Sequence, residues 1–244
     1  MSQAMRSVLG VGLCLLIGVM AGRAAEPAAA TAPAPYDAID QYESRPMQGW
    51  TVLVNKRLLT KDDLAATSLK ELDSQLYLAS THLPAKTLGV LKKVKIWMEL
   101  DDKAFPGGVY HPSADWLEQH GHNPAKAKCV EIGNARHLID WSHDQPYMLL
   151  HELSHAYHDQ VLGYDNPAVK AAFADAVESK RYESVLRASG RKERHYALTN
   201  AQEFFAEMSE SYFGTNDFYP FVRAELQAYD PKTYAMMGAA WGVK

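Results

Sequence analysis

The sequence is poor in cysteine, with only Cys14 and Cys129 among 244 residues. Small secreted domains without a large hydrophobic core are usually held together by several disulfides, and two cysteines exclude that class. Cys129 lies in the apolar-containing segment Cys-Val-Glu-Ile, which favours a buried thiol rather than a nucleophile. We therefore expect stability to come from the hydrophobic core of a single domain, for which about 210 residues suffice.

The sequence also lacks an excess of positive charge. Its 25 lysines and arginines stand against 29 aspartates and glutamates, which gives a net charge of −4. Proteins that bind nucleic acid or anionic membrane surfaces usually carry clustered basic residues. The charge balance favours neither of these partners.

No apolar run is long enough to cross a membrane as a helix, which needs about 20 residues. The longest run, Val8 to Ala21, has 14 residues. Arg6 precedes this run and the small residue Ala24 follows it, as in a secretory signal peptide. We therefore expect a signal peptide at residues 1–24, with an uncleaved membrane anchor as the alternative.

The expected signal peptide sets the predicted domain organisation. Residues 25–35 form an Ala/Pro-rich linker, and residues 36–244 form one exported domain, either periplasmic or secreted, that we expect to be a monomer. Removing the signal peptide leaves 23 basic against 29 acidic residues, a net charge of −6. Cys129 then has no partner for an internal disulfide.

The sequence contains an HExxH motif, His151-Glu152-Leu153-Ser154-His155. Residues four apart lie on the same face of an α-helix, so His151 and His155 offer two imidazoles to one metal ion. Glu152 lies beside them as a candidate general base. The motif predicts one zinc ion per chain and hydrolysis by a zinc-activated water molecule. The alternative is an amphipathic helix whose histidines are only packed.

The residues around the motif are typical of a helix. Asp144 is a suitable N-cap, Pro146 suits a first turn, and Gly163 is a suitable end. The apolar side of this helix would be formed by Leu149, Leu150, Leu153, Ala156, Tyr157 and Val161.

The rest of the pattern predicts an α+β fold that is mostly helical, with a small sheet at the cleft. Residues 105–112 are glycine-rich, which suits either a tight crossing or an edge strand where a peptide substrate could pair. The other predicted strands are 50–53, 94–100 and 128–132, with a hairpin over 183–188 and 191–197. The predicted helices are one of about 20 residues capped by Thr60, one at 116–119, one at 167–179, one from Asn200 to Gly214, and two within 218–241.

Two histidines do not complete a catalytic zinc site, which needs a third protein ligand. The metzincin pattern fails, because its glycine and third histidine would fall on His158 and Val161. Glu203 and Glu207 are four residues apart and share a face of the helix after Asn200. A glutamate ligand from a second helix is the gluzincin arrangement. We therefore predict Glu203 as the third ligand and Glu207 as a hydrogen-bond partner of a ligand histidine.

Two other residues remain candidates near the metal. Asp217, in Gly-Thr-Asn-Asp, is similar to the aspartate ligand of aspzincins, although the sequence that follows departs from their pattern. His158 is one turn beyond His155 on the same predicted face, where we expect it to contact a ligand or the rim of the cleft.

The segments HELSHAYHDQ and Tyr196-Ala-Leu-Thr-Asn-Ala-Gln-Glu203-Phe-Phe-Ala-Glu207 together resemble the catalytic domain of the anthrax lethal factor type of zinc peptidase, to which Pro-Pro endopeptidases are also similar. The resemblance is specific from about Met148 to Phe213, and the whole mature chain resembles uncharacterised exported bacterial metallopeptidases. It implies a zincin-like (gluzincin) fold, Glu203 as ligand, and Tyr196 directed at the site. The other domains of lethal factor have no counterpart here.

The combined prediction is an exported zinc-dependent endopeptidase. Zinc on His151, His155 and Glu203 would polarise the scissile carbonyl, and Glu152 would transfer the proton to the leaving amine. Tyr196 would donate a hydrogen bond to the developing oxyanion or the amine. The alternatives are a zinc-stabilised binding domain without turnover, and an amidase that acts on cell-wall peptides.

Overall fold

A computed structural model describes residues 36–243 of the chain. The predicted signal peptide at 1–24 and the predicted linker at 25–35 lie outside these residues. The described part is mostly helical with a small mixed sheet, which confirms the predicted α+β class.

The α-helices of the described region are mostly short, apart from one that spans 21 residues. Their bounds are α1 Lys56–Leu59, α2 Asp62–His82, α3 Ala85–Leu91, α4 Ala114–Gln119, α5 Ala135–Trp141, α6 Met148–Tyr157, α7 Pro167–Ser179, α8 Ala201–Phe213, α9 Arg223–Tyr229 and α10 Pro231–Trp241. The strands are β1 Tyr42–Met47, β2 Trp50–Asn55, β3 Ile96–Met98, β4 Gly108–Tyr110, β5 Val130–Ile132, β6 Val185–Leu186 and β7 Lys192–Glu193.

Five strands form one sheet in the order β1-β2-β3-β5-β4. The three central strands are parallel, and the outer strands β1 and β4 run antiparallel to their neighbours. Strands β3 and β5 are buried throughout, as is usual for parallel strands covered on both faces. Strand β4 therefore lies at an edge of the sheet, which is one of the two alternatives that the sequence left open for residues 105–112.

Helix α6 carries the HExxH motif and lies at the centre of the helical part. Nine of its ten residues are buried, because it packs against α8, α2 and β4 at once. Apart from the residues that line the cavity, such a helix has no face exposed to solvent, whereas the sequence had suggested a helix with one apolar side.

The predicted start of α6 is wrong. The helix begins at Met148 after Tyr147, and no side chain caps it, so Asp144 and Pro146 lie before the helix. The backbone N–H of Leu149 is instead satisfied by the side chain of Gln75 on α2, at 3.1 Å. A tertiary contact thus replaces the local cap expected at this end.

The predicted cap of α2 is also wrong. Thr60 ends the short helix α1, and α2 begins after Lys61 without a side-chain cap. Other predicted elements are present but shorter than expected: the hairpin is reduced to β6 and β7, and Tyr196 lies after it in a 3-10 turn, Tyr196–Leu198.

Cys129 is buried and unpaired, as expected for a small apolar side chain, and is 7% exposed. Among residues 36–243 no helix combines the length and the hydropathy that crossing a membrane would require.

Candidate metal centre

Three predicted ligand atoms converge at one point between α6 and α8. The Nε2 atom of His151 lies 3.2 Å from Nε2 of His155 and 3.1 Å from Oε2 of Glu203. The third side of this triangle, from His155 Nε2 to Glu203 Oε2, is 3.3 Å. The structure therefore brings together the three residues that the sequence proposed as ligands.

This spacing fits a tetrahedral metal ion. Ligand atoms about 2.0 Å from a zinc ion at the centre of a tetrahedron are about 3.3 Å apart. Two imidazoles and one carboxylate are also the donor set of one common type of catalytic zinc site. The residues present thus fit a zinc ion in both distance and chemistry.

The electrostatics of the three ligands favour a positive charge. Burial opposes a charge on His151, but hydrogen bonds with Glu203 and Glu210 raise its pKa well above the usual value. Burial also opposes ionisation of Glu203, yet hydrogen bonds with His151 and His155 lower its pKa. A cation between these groups would take the place of the shared protons.

Glu203 is positioned by the N-terminus of α8. The side chain of Asn200 accepts a hydrogen bond from the backbone N–H of Glu203 at 2.8 Å, so Asn200 is the N-cap. Glu203 then lies in the first helical turn, where the helix dipole favours a carboxylate. The buried residues Phe204 and Phe205 anchor this turn in the core.

The carboxylate that fixes His151 is Glu210, and the sequence analysis missed it. His151 Nδ1 donates to Glu210 Oε1 at 2.7 Å, whereas Glu207 Oε1 lies 3.8 Å from the same nitrogen. The predicted partner, Glu207, instead accepts from the amide of Asn216 at 2.8 Å. The bond to Glu210 leaves the Nε2 lone pair of His151 facing the metal position.

Glu207 and Glu210 share a buried environment behind His151. Both residues are only 4% exposed, and burial raises the pKa of each. A negative charge on either one also raises the pKa of the other. We infer that the pair holds a proton more readily than isolated carboxyl groups do.

Glu152 is held by the edge strand of the sheet. The backbone N–H of Tyr110 donates to Glu152 Oε2 at 2.8 Å, and the residue is 7% exposed. The approach is close, and the glycine at position 108 favours it: a Cβ there would lie 3.1 Å from Glu152 Cγ and 3.0 Å from Met148 Sδ. The orientation of this carboxylate therefore depends on β4.

The backbone of β4 presents free groups on its outer side. Val109 is paired with Glu131 of β5, while Gly107 O and His111 N bond to Gly133 N and Cys129 O. Because bonding alternates along an antiparallel strand, Gly108 and Tyr110 turn their N–H and C=O groups away from β5. One of these four groups, the Tyr110 N–H, is used by Glu152.

A cavity of about 900 Å³ surrounds the candidate ligands and Glu152. Tyr196 lines it and is 48% exposed, so it is not packed into the core. Burial raises the pKa of Tyr196 and the charge of Glu203 adds to the effect, so its hydroxyl remains a hydrogen-bond donor. Tyr164 also lines the cavity, and the sequence analysis did not single it out.

The two other candidates from the sequence lie away from the metal position. His158 is fully buried against Phe205 and Tyr164, neither ring nitrogen has a partner, and it is absent from the cavity wall. The expectation that it contacts a ligand or the rim is therefore wrong. Asp217 is 3% exposed and paired with Arg187 at 3.1 Å, outside the ligand group.

The sequence model of one protein family, described as anthrax toxin lethal factor, N- and C-terminal domain, matches residues 99–240. The match covers more than half of the chain and includes β4, α6 and α8 in full. No curated protein and no solved structure matches the chain.

Proposed function

We propose that this chain, which belongs to the anthrax toxin lethal factor family of zinc metalloproteases, is an exported zinc-dependent endopeptidase with one catalytic zinc ion. The observation that supports this proposal best is the convergence of His151, His155 and Glu203 beside Glu152 in one cavity. A site with a purely structural role would not need the carboxylate of Glu152, which is not a proposed ligand, next to the metal.

The residues that line the cavity would have separate roles in peptide hydrolysis. When bound, the zinc ion supplies Lewis-acid chemistry, which polarises a carbonyl and makes water acidic near neutral pH. Glu152 accepts the proton of the attacking water and delivers it to the leaving amine. Tyr196 donates a hydrogen bond to the charge that develops on the scissile group. Gly108 and Tyr110 offer backbone groups with which an extended peptide can pair.

The variant Glu152→Gln separates catalysis from metal binding. The amide has nearly the same shape and Glu152 is not a proposed ligand, so zinc content and folding should persist. Loss of the proton acceptor should lower the cleavage rate by about 10² to 10⁴. Glu178→Gln, on the exposed surface of α7, is the matched control and should behave like the wild type.

The measurement is cleavage of a diverse peptide library by the mature domain, with zinc content determined for each variant. Full activity in zinc-loaded Glu152→Gln would remove Glu152 from the mechanism. A wild type that cleaves no peptide would favour a zinc-stabilised binding domain instead. Cell-wall peptides belong in the library, because cleavage restricted to them would identify the amidase alternative.

Export is part of the proposal and rests on the sequence of residues 1–24. The N-terminus of the protein recovered outside the cytoplasm, measured by mass spectrometry, should lie close to residue 25. A protein that still begins at Met1 would contradict the signal peptide.

A further inference from the structure

Trp141 is the tryptophan that lines the cleft. Of the chain's five tryptophans, Trp50, Trp97 and Trp241 are each about 1% exposed. Trp116 is 45% exposed but does not line the cavity, and its ring stacks with His120 at 4.1 Å between ring centres. Trp141, the last residue of α5, is 38% exposed and forms part of the cavity wall.

The indole of Trp141 is held in place by its neighbours. Its ring is nearly parallel to that of His137, at 14° and 5.0 Å between centres, and His137 Nδ1 is 2.8 Å from the carbonyl oxygen of Pro106. The edge of the indole fits against Gly107, where an added Cβ would lie 2.7 Å from Cζ3. A large aromatic side chain fixed in this way provides binding area at little cost in conformational entropy.

The cavity wall that includes Trp141 carries several apolar groups as well as the amide of Gln145, which bonds to the Trp141 carbonyl through its backbone N–H. Gly107, which contacts the indole, continues into Gly108, and Gly108 contacts Met148. Trp141, Met148 and Val109 all line the cavity. The part of the wall formed by the β6-β7 hairpin is charged instead, and it contributes Arg187, Glu193 and Arg194.

The direction of β4 relates Trp141 to one side of the substrate. A peptide that pairs antiparallel with β4 runs from the Tyr110 end towards the Gly108 end. Glu152 is bonded at Tyr110, and Trp141 contacts Gly107, one residue before the strand. The part of the peptide that follows the cleaved bond therefore runs towards Trp141.

We infer that Trp141 is a specificity-determining residue that binds a large apolar side chain on the C-terminal side of the cleaved bond. This inference rests on the proposed peptidase function and deepens it. The indole removes that side chain from water, while peptides with a small or charged residue at the same position gain no such contact.

The test is the cleavage profile of the zinc-loaded mature domain on a peptide library that varies each position around the cleaved bond. The wild type should prefer large apolar residues at one position after the cleaved bond. Trp141→Ala should lose that preference, with kcat/KM for the best peptide falling at least about tenfold, mainly through KM. Peptides with alanine at that position should be cleaved at nearly unchanged rates.

Trp141→Phe distinguishes loss of substrate binding from loss of local structure, because it preserves an aromatic ring against His137 and Gly107. It should retain the preference in weakened form with unchanged zinc content and Tm. Trp116→Ala is the matched control and should leave the profile unchanged.

An unchanged profile in Trp141→Ala would overturn the inference while leaving the peptidase function intact. Loss of cleavage of all peptides to the same extent would assign Trp141 a structural role and overturn it as well. A wild type that cleaves nothing would overturn the proposed function, and the inference with it.

Discussion

Glu210 shows how much of the metal site depends on one residue outside the ligand set. Its carboxylate accepts a hydrogen bond from the Nδ1–H of His151 at 2.7 Å, and this bond fixes both the tautomer and the ring orientation. The neighbouring carboxylate of Glu207 is too distant for a hydrogen bond, at 3.8 Å, and is engaged by Asn216. The two glutamates should therefore differ in their effect on metal affinity.

We predict that Glu210→Gln weakens zinc binding by about tenfold, the lower end of the usual effect of altering such a partner, because a neutral amide is a weaker acceptor for the Nδ1–H than a carboxylate. Glu207→Gln should weaken it less, because Glu207 makes no hydrogen bond with His151. Competition with a chelator of known zinc affinity measures both variants. Equal losses of zinc affinity, or a larger loss in Glu207→Gln, would contradict the conclusion that Glu210 rather than Glu207 positions His151.

The sequence could not distinguish these two glutamates. Positions 203, 207 and 210 are separated by four and three residues, so all three lie on one face of a helix. The four-residue spacing matched a known pattern and favoured Glu207. Only the packing of α8 against α6 decides which carboxylate reaches His151.

At the scale of elements, the sequence predicted most strands and helices near the site because their patterns are local. The long helix α2, helix α7 and helix α8 are all present near their expected positions, and β4 is one of the two alternatives left open for its segment. β1 was missed: its sequence, Tyr-Glu-Ser-Arg-Pro-Met, is largely exposed at the sheet edge and has little apolar content.

The prediction for His158 failed because helical spacing predicts the face on which a residue lies but not what covers that face. One turn beyond His155, the ring of His158 meets Phe205 of α8 and Tyr164 instead of the cavity, and the residue is fully buried. No spacing rule for an α-helix predicts such a tertiary contact.

The contact between β4 and α6 should make Gly108 important for activity. A Cβ at this position would lie 3.0 Å from Met148 Sδ and 3.1 Å from Glu152 Cγ, so Gly108→Ala requires β4, Met148 or Glu152 to shift by a few tenths of an ångström. We expect kcat to fall by about two- to tenfold, because the shift is smaller than the displacement of about 1 Å that can cost about 10²-fold in rate. Peptide cleavage assays at saturating zinc measure the change.

The control for this variant is Gly89→Ala in α3. A Cβ there has no neighbour within 4 Å, and alanine favours the helix by about 0.5–1 kcal/mol. Its activity should equal that of the wild type. Unchanged activity in Gly108→Ala would show that β4 does not fix Glu152.

At the scale of the whole molecule, two buried histidines link stability to pH. Burial lowers the pKa of His195 to about 3 and that of His158 to about 4. The unfolded chain, in which histidine titrates near 6.5, binds more protons than the folded chain below that pH. Stability is therefore lost as pH falls from about 6.5 towards 3 to 4.

We predict that His195→Asn reduces this loss. The asparagine oxygen can replace Nδ1 as acceptor for the N–H of Ala197, but it does not titrate. The slope of unfolding free energy against pH between 4.5 and 6 should decrease by up to about 1.4 kcal/mol per pH unit. Urea titrations of chelator-treated protein give this slope.

Because the wild type and the variant are both measured without metal, metal binding does not contribute to either slope. The titration of the three candidate ligands is common to the two proteins and cancels in the comparison. His120→Asn is the control and should keep the wild-type slope, because His120 is exposed and its ring only stacks on Trp116. An identical slope in His195→Asn would mean that His195 does not remain neutral in the folded protein.

The hydrogen bond from Tyr110 to Glu152 limits how a peptide can add to the sheet. Because that N–H is already used, only Gly108 can exchange a full pair of backbone bonds with an incoming strand. A ladder of one residue pair supplies little of the free energy of peptide binding. It also allows only one position of the peptide backbone relative to Glu152, the proposed proton acceptor. The distance between the bond that is cut and the residue that is recognised is then set by the backbone, whatever the sequence of the substrate.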